Sequence, residues 1–240
     1  MVLRRARETG ALLDRLRYAA ASPSPLHHRK LNMPHIDYWF SLVSPWAFLG
    51  HQAFLDLAKR EGATVAFKPV EIREVFDHTG GLPLPKRHPA RQKYRLLELQ
   101  RWRELRNIPL KIHPKHWPYP VSLANRTIVA LADGGADPGP YTKRCFEACW
   151  VEDQNCADEA VLAKLLTECG HNPELIIGNA GTGDIQAIYA GHAAQAVEAG
   201  VIGSPCYVLN GEVFWGQDRL DLLERALKSK RAPFKTDVAM

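Results

Sequence analysis

Ser44 stands where a β-rich apolar run, "DYWFSLV", meets Pro45 and turns helical. Two roles suit a serine there. Its hydroxyl can cap the helix, with Pro45 in the first turn where a missing N–H costs nothing. It can also face a ligand, because a helix N-terminus carries unpaired N–H groups and partial positive charge that hold an anion, and the hydroxyl adds a donor. Ser204-Pro205 is a second such pair, and a proline opening a strand belongs at an edge or in a cis turn. Asp218, in Gln217-Asp218-Arg219, suits the cap of the last helix. His113 and His116 have the spacing of metal ligands, but Pro114 lies between them and no Cys or acidic partner is near, so no metal site is expected. Cys145 and Cys149, one helical turn apart, read as small buried apolar residues rather than a redox pair, and Cys206 as a buried thiol close to Pro205.

The elements that position these residues follow from hydrophobic period and turn chemistry. "HIDYWFSLV" is apolar on both faces, as in a central strand covered on each side. Phe48, Leu49, Ala53, Phe54 and Leu57 recur at helical spacing until Gly62, and "TVAFKPVEI" reads as a second strand, parallel to the first. A mostly helical stretch follows from about residue 77 to 190. It holds a Pro/Gly loop, the charged helix "ARQKYRLLELQRWRELRN", and further helices over about 123–132, 141–151, 158–168 and 184–199. Trp150, Glu152 and Asp153 are expected to anchor helix packing. "VIGSPCYVLNGEVFWG" reads as two short strands around Asn210-Gly211, a strong hairpin signal, and "QDRLDLLERALKS" as a closing helix. This order describes an α/β thioredoxin-like fold with an all-helical insertion. The expected division is a thioredoxin-like domain over 33–76 and 192–230, an inserted domain over 77–191, and a tail over 231–240.

Composition restricts the function classes. The chain has 240 residues, 46% of them hydrophobic, and no apolar stretch of membrane-spanning length. Its net charge of +5 resides in residues 1–32, which hold seven basic groups and only Glu8 and Asp14 as acids; the remainder carries 24 of each sign. A neutral body gives no support to nucleic-acid binding. The 1–32 leader reads as a disordered basic extension, with an organelle transit peptide as the alternative. Five cysteines without a C-x-x-C pair point to a reducing compartment, taken as the cytoplasm, or an organelle matrix if the leader is a transit peptide.

"DYWFSLVSPWAFLG", "PVEIREVFDHTGG", "WVEDQNCAD" and "GVIGSPCYVLNGEVFWGQDRLDLLERAL" together resemble the 2-hydroxychromene-2-carboxylate isomerase family over about residues 33–228. That family is kin to kappa-class glutathione transferases and, more distantly, to disulfide oxidases of the thioredoxin superfamily. The resemblance implies a cofactor, glutathione, and a site for it. Ser44 takes the place of the oxidases' reactive cysteine and holds the thiolate. Ser204, before a cis Pro205, offers its backbone to the cysteinyl unit. Gln217, Asp218 and Arg219 receive the γ-glutamyl end, a carboxylate suiting its ammonium and helix-start N–H groups its carboxylate.

Two positions depart from the family pattern. Thr79-Gly80-Gly81 stands where relatives read Thr-Gly-Asn, and Pro89-Ala90-Arg91, with Lys93 close by, where they read Pro-Ala-Lys. Arg91 or Lys93 would meet the carboxylate of a small aromatic substrate, and an arginine does so as a fork rather than a point charge. The implied activity is glutathione-dependent isomerisation in aromatic-compound catabolism. A kappa-like glutathione transferase or peroxidase and a non-catalytic thioredoxin-fold binding protein are the alternatives. The resemblance also allows a homodimer.

Overall fold

The first strand has two apolar faces to serve, and this sets the layers. In the computed structural model, which describes residues 33–236, β1 (His35–Phe40) buries Ile36, Tyr38 and Phe40 on one face and Trp39 on the other. It stops at Phe40 instead of running on to Val43 as the apolar pattern suggests, because residues 41–43 turn to start a helix. α1 (Pro45–Arg60) follows, begins at Pro45 and ends before Gly62, whose φ of 64° suits glycine. β2 (Thr64–Pro69) pairs parallel to β1 with Ile36 opposite Val65.

The second strand is shorter than "TVAFKPVEI" suggests. Pro69, which has no N–H to donate, ends it, and α2 (Ile72–Thr79) starts at once under a Glu71 cap that accepts from the Arg73 N–H. Gly80, with φ 75°, closes α2. The helical stretch comprises α3 (Pro89–Leu105), α4 (Ser122–Asp133), α5 (Gly139–Trp150), α6 (Glu159–Glu168), α7 (Pro173–Ala180) and α8 (Gly183–Glu198). The chain returns through β3 (Cys206–Leu209) and β4 (Glu212–Trp215), joined by Asn210 and Gly211 at φ 52° and 83°. A 3-10 turn over Gln217–Arg219 and α9 (Leu220–Ser229) complete the order.

The sheet order is β2-β1-β3-β4, with β3 antiparallel to both neighbours. Tyr38, Phe40, Phe54, Phe67, Phe146 and Tyr207 fill one face, with Tyr38 stacked on Phe40 at 4.5 Å between ring centres and Phe54 tilted against Tyr207 at 4.5 Å. Each such buried ring contributes on the order of 1.5–3 kcal/mol. The other face is thinner: Trp39 and Cys206 meet Val75 of α2 and Ala196 of α8. Residues 34–236, helical stretch included, pack as one compact unit. Among the described residues no helix is long and apolar enough to cross a membrane. The leader expected over 1–32 lies outside the described residues.

Candidate active site

The β1–α1 turn is pinned from two directions. Trp117 donates its indole N–H to the Val43 carbonyl at 2.9 Å, and Trp150 donates to the Leu42 carbonyl at 3.1 Å. The two indoles lie 5.9 Å apart, so side chains from the helical stretch satisfy backbone groups that a buried turn would otherwise leave unpaired. The anchoring role read for Trp150 is therefore met; Glu152 and Asp153 likewise pair with Arg144 and Lys111.

Ser44 then caps α1, its Oγ accepting from the Ala47 N–H at 3.2 Å. The same hydroxyl donates to the Ser204 carbonyl at 3.0 Å, across 160 residues of sequence. Ser204 Oγ in turn accepts from the Ser41 N–H at 2.9 Å. The Ser204-Pro205 peptide is cis. Two donors here, the Trp46 and Ser204 N–H groups, have no hydrogen-bond partner among the described residues. No acidic residue lies in the first turn of α1. The cluster is thus a set of donors at the positive end of a helix, suited to an anion.

The β3–β4 hairpin couples this cluster to the last turn, since Cys206 pairs with Trp215 and the Gly216 N–H donates to the Pro205 carbonyl at 2.9 Å. Gly203 must lack a side chain: a Cβ there would lie 2.4 Å from the Trp215 indole nitrogen. Gly216 has φ 110°, and its Cβ would lie 2.4 Å from the Asp218 carboxylate. Gln217 is buried against α1, so close that a Cβ on Gly50 would stand 2.6 Å from its own. Gly50 is six residues beyond Ser44, roughly 9 Å along the helix axis.

A profile of the DsbA-like thioredoxin domain matches residues 35–228. The chain belongs to the DsbA-like thioredoxin family. The thioredoxin-like α/β fold with a helical insertion, expected from the sequence, is therefore borne out. Among its relatives, the 2-hydroxychromene-2-carboxylate isomerase of Sphingobium xenophagum is 28% identical over 204 residues, covering 80% of this chain and 97% of the relative. The glutathione S-transferase kappa 1 of Caenorhabditis elegans is 23% identical over 208 residues, covering 82% and 92%. A solved 2-hydroxychromene-2-carboxylate isomerase superposes with a TM-score of 0.69 at 25% identity, over 82% of this chain and 95% of that one. The resemblance read from the sequence is thus met by isomerase relatives and a kappa-class transferase.

Within this DsbA-like chain, Ser44, Ser204 and Pro205 come together as one cluster. Gln217 faces inward: its Oε1 accepts from Arg106 Nε at 2.9 Å, and its carbonyl accepts from Arg106 Nη2 at 3.1 Å. Asp218 does not cap α9, which starts with no side-chain cap; its carboxylate pairs with Arg219 at 2.6 Å, and both are exposed. Arg91 and Lys93 are exposed in the first turns of α3, and no hydrogen bond or ion pair engages their side chains among the described residues. Gly81 lies against Phe76, where a Cβ would stand 2.1 Å from the ring, so any larger residue there requires the ring to move. Cys206 is buried, and burial pushes its thiol up to about 11, so it stays protonated.

Sequence reasoning missed Arg106 and Trp117. Arg106 is the C-cap of α3 and reaches the Gln217 turn across 111 residues, a pairing with no local signal. Burial lowers its pKa, and the nearby Tyr207, Asp221 and Asp218 oppose the fall.

Proposed function

We propose that the protein is a glutathione-dependent cis–trans isomerase that interconverts 2-hydroxychromene-2-carboxylate and trans-o-hydroxybenzylidenepyruvate in aromatic-compound catabolism. One observation carries this reading: the hydrogen bond from Ser44 to the Ser204 carbonyl joins a helix N-terminus to the backbone before a cis-proline, with no cysteine at the junction. Ser44 and Ser204 would hold glutathione there, and the cofactor would supply a thiolate for reversible addition to the conjugated double bond.

The donor set fits that cofactor. The free Trp46 N–H, the Ser44 hydroxyl and the helix dipole favour the ionised form of a thiol. The free Ser204 N–H and the Ser204 carbonyl offer one donor and one acceptor to a peptide backbone. Gln217 packs on Gly50 of α1, a point roughly 9 Å along the helix axis from Ser44, about the span of an extended tripeptide. Ser44 has one proton, now given to the Ser204 carbonyl. Turning that proton toward the sulfur frees the carbonyl to accept from the ligand's own N–H. Arg106 holds the Gln217 turn in place, and Arg91 with Lys93 supplies cations for the substrate carboxylate.

Incubation with glutathione and 2-hydroxychromene-2-carboxylate, followed by ultraviolet absorbance and a thiol assay, tests the reading. Isomerisation that requires glutathione and conserves free thiol is the expected result. The kappa-class relative favours a second reading, a transferase using the same glutathione residues, for which thiol would fall in step with substrate. Absence of glutathione binding by calorimetry would overturn both and leave a non-catalytic binding protein.

A further inference from the structure

The peptide between Val43 and Ser44 is held at both ends. Its carbonyl accepts from the Trp117 indole N–H at 2.9 Å, and its N–H donates to the Ser41 carbonyl at 3.0 Å. A peptide unit is planar and turns as one piece, so these two bonds fix the direction from which the Ser44 side chain leaves the backbone. Ser44 stands at φ −94° and ψ 113°, and its Oγ lies between the Ala47 N–H at 3.2 Å and the Ser204 carbonyl at 3.0 Å. Hydrogen bonds weaken steeply as their angles close, so a rotation of that peptide plane would cost both contacts.

The two ends differ in origin. The Ser41 bond is local to the turn, whereas Trp117 comes from the helical stretch, 74 residues away in sequence. Trp117 also differs from the second indole at this turn. Trp150 is 1% exposed in the core, and its N–H reaches the Leu42 carbonyl, one peptide further from Ser44. Trp117 is only half-buried, and it holds the carbonyl bonded directly to the Ser44 nitrogen.

We infer that Trp117 is a positioning residue for the anion site at Ser44: through the Val43 carbonyl, its indole N–H keeps the Ser44 hydroxyl and the first N–H groups of α1 aimed at a thiolate. This rests on the proposed function for the identity of the anion, the thiolate of glutathione. It gives the helical stretch a part in the chemistry of the junction as well as in its packing.

Ser44→Cys provides a test that needs no glutathione. A thiol placed at residue 44 reports the junction through the pH at which it ionises, followed by the ultraviolet absorbance of the thiolate. It is expected to ionise below about 8.5, the ordinary value for a cysteine, because the helix start favours the anion. Adding Trp117→Phe to Ser44→Cys is expected to raise that pH by about half a unit or more, the scale of one hydrogen bond. Trp117→Met also lacks the N–H; it is expected to act alike and carries the comparison if the phenylalanine variant does not fold. Urea unfolding of each variant separates positioning from packing, since a merely structural Trp117 would lower the midpoint and leave the ionisation where it was. That outcome overturns the proposal. An ordinary ionisation in Ser44→Cys itself overturns it too, because the junction would then hold no thiolate. Glutathione binding to the unaltered chain is measured separately by calorimetry. Its absence beside the expected rise in the Trp117 variants would remove the glutathione reading and sustain the role of Trp117.

Discussion

The two sides of the candidate site are built in opposite ways. At the Ser44–Ser204 junction the side chains are paired within the chain: Ser44 both accepts and donates, Ser204 accepts at its hydroxyl and at its carbonyl, and two indoles hold the turn before them. At the start of α3, Arg91 and Lys93 stand exposed. The first region is preorganised, and a ligand there exchanges hydrogen bonds that already exist. The second leaves its positive charge without a carboxylate partner among the described residues.

Removing the Ser44 hydroxyl strikes the preorganised side hardest. Ser44→Ala is expected to lower kcat/KM by about 10²–10³, the scale of losing one donor aimed at developing charge. Stability should fall by only about 1 kcal/mol, as for a lost helix cap. Steady-state kinetics and urea unfolding of the same variant separate the two.

Acid should unmake the scaffold behind that junction and not the cations of α3. His51 of α1 is buried between the Tyr38 hydroxyl at 3.3 Å and the Gly139 carbonyl at 3.4 Å, and burial pushes its pKa down to about 4. It stays neutral in the fold, whereas in the unfolded chain it takes up a proton near 6.5. Its contribution is therefore complete above about pH 6.5 and is lost as pH falls toward 4, on the order of 3 kcal/mol. His192, also lowered by burial and bonded to the Pro69 carbonyl, has the same sign. Unfolding midpoints measured from pH 7.5 to 4.5 should fall accordingly, and His51→Gln should flatten much of the slope.

Arg106→Gln tests whether the Gln217 turn is positioned or merely present. KM for glutathione is expected to rise about tenfold with little change in kcat, from the loss of two hydrogen bonds to a charged donor. Arg106→Lys, which keeps the charge without the fork, should recover only part. The smallest effect belongs to Arg219, whose pair with Asp218 is exposed. Arg219→Ala should change stability by less than about 0.5 kcal/mol, read from the shift in unfolding midpoint.

Much of the fold was legible because its signals are local. Ser44-Pro45, Gly62 and Asn210-Gly211 each mark a boundary by backbone chemistry alone, and the structure puts boundaries at all three. Asn172-Pro173, an N-cap followed by a first-turn proline, carried an equally local signal for α7, which went unread; the Asn172 side chain accepts from the Leu175 N–H there. The second strand misled because "VEI" has β character, while Pro69 and the Glu71 cap decided otherwise. The site was legible only as separate pieces. Nothing in "SP" states that the Ser44 hydroxyl meets the Ser204 carbonyl, or that Arg106 reaches Gln217, because those contacts depend on the sheet order and helical packing of the whole chain. Arg91 and Lys93 fail differently: their positions are visible, but the lack of carboxylate neighbours is a property of the folded surface.

The most direct test of the central claim is the ionisation of glutathione's thiol in the complex, followed by ultraviolet difference absorbance of the thiolate as pH is raised. The protein's own thiols do not interfere at neutral pH, since burial pushes Cys156 and Cys206 up to about 11 and Cys145, Cys149 and Cys169 upward as well. The expected result is a bound thiol that ionises at lower pH than free glutathione, with Ser44→Ala returning it toward the free value. A bound thiol that titrates like the free one, or a depressed value that survives Ser44→Ala unchanged, would contradict the account.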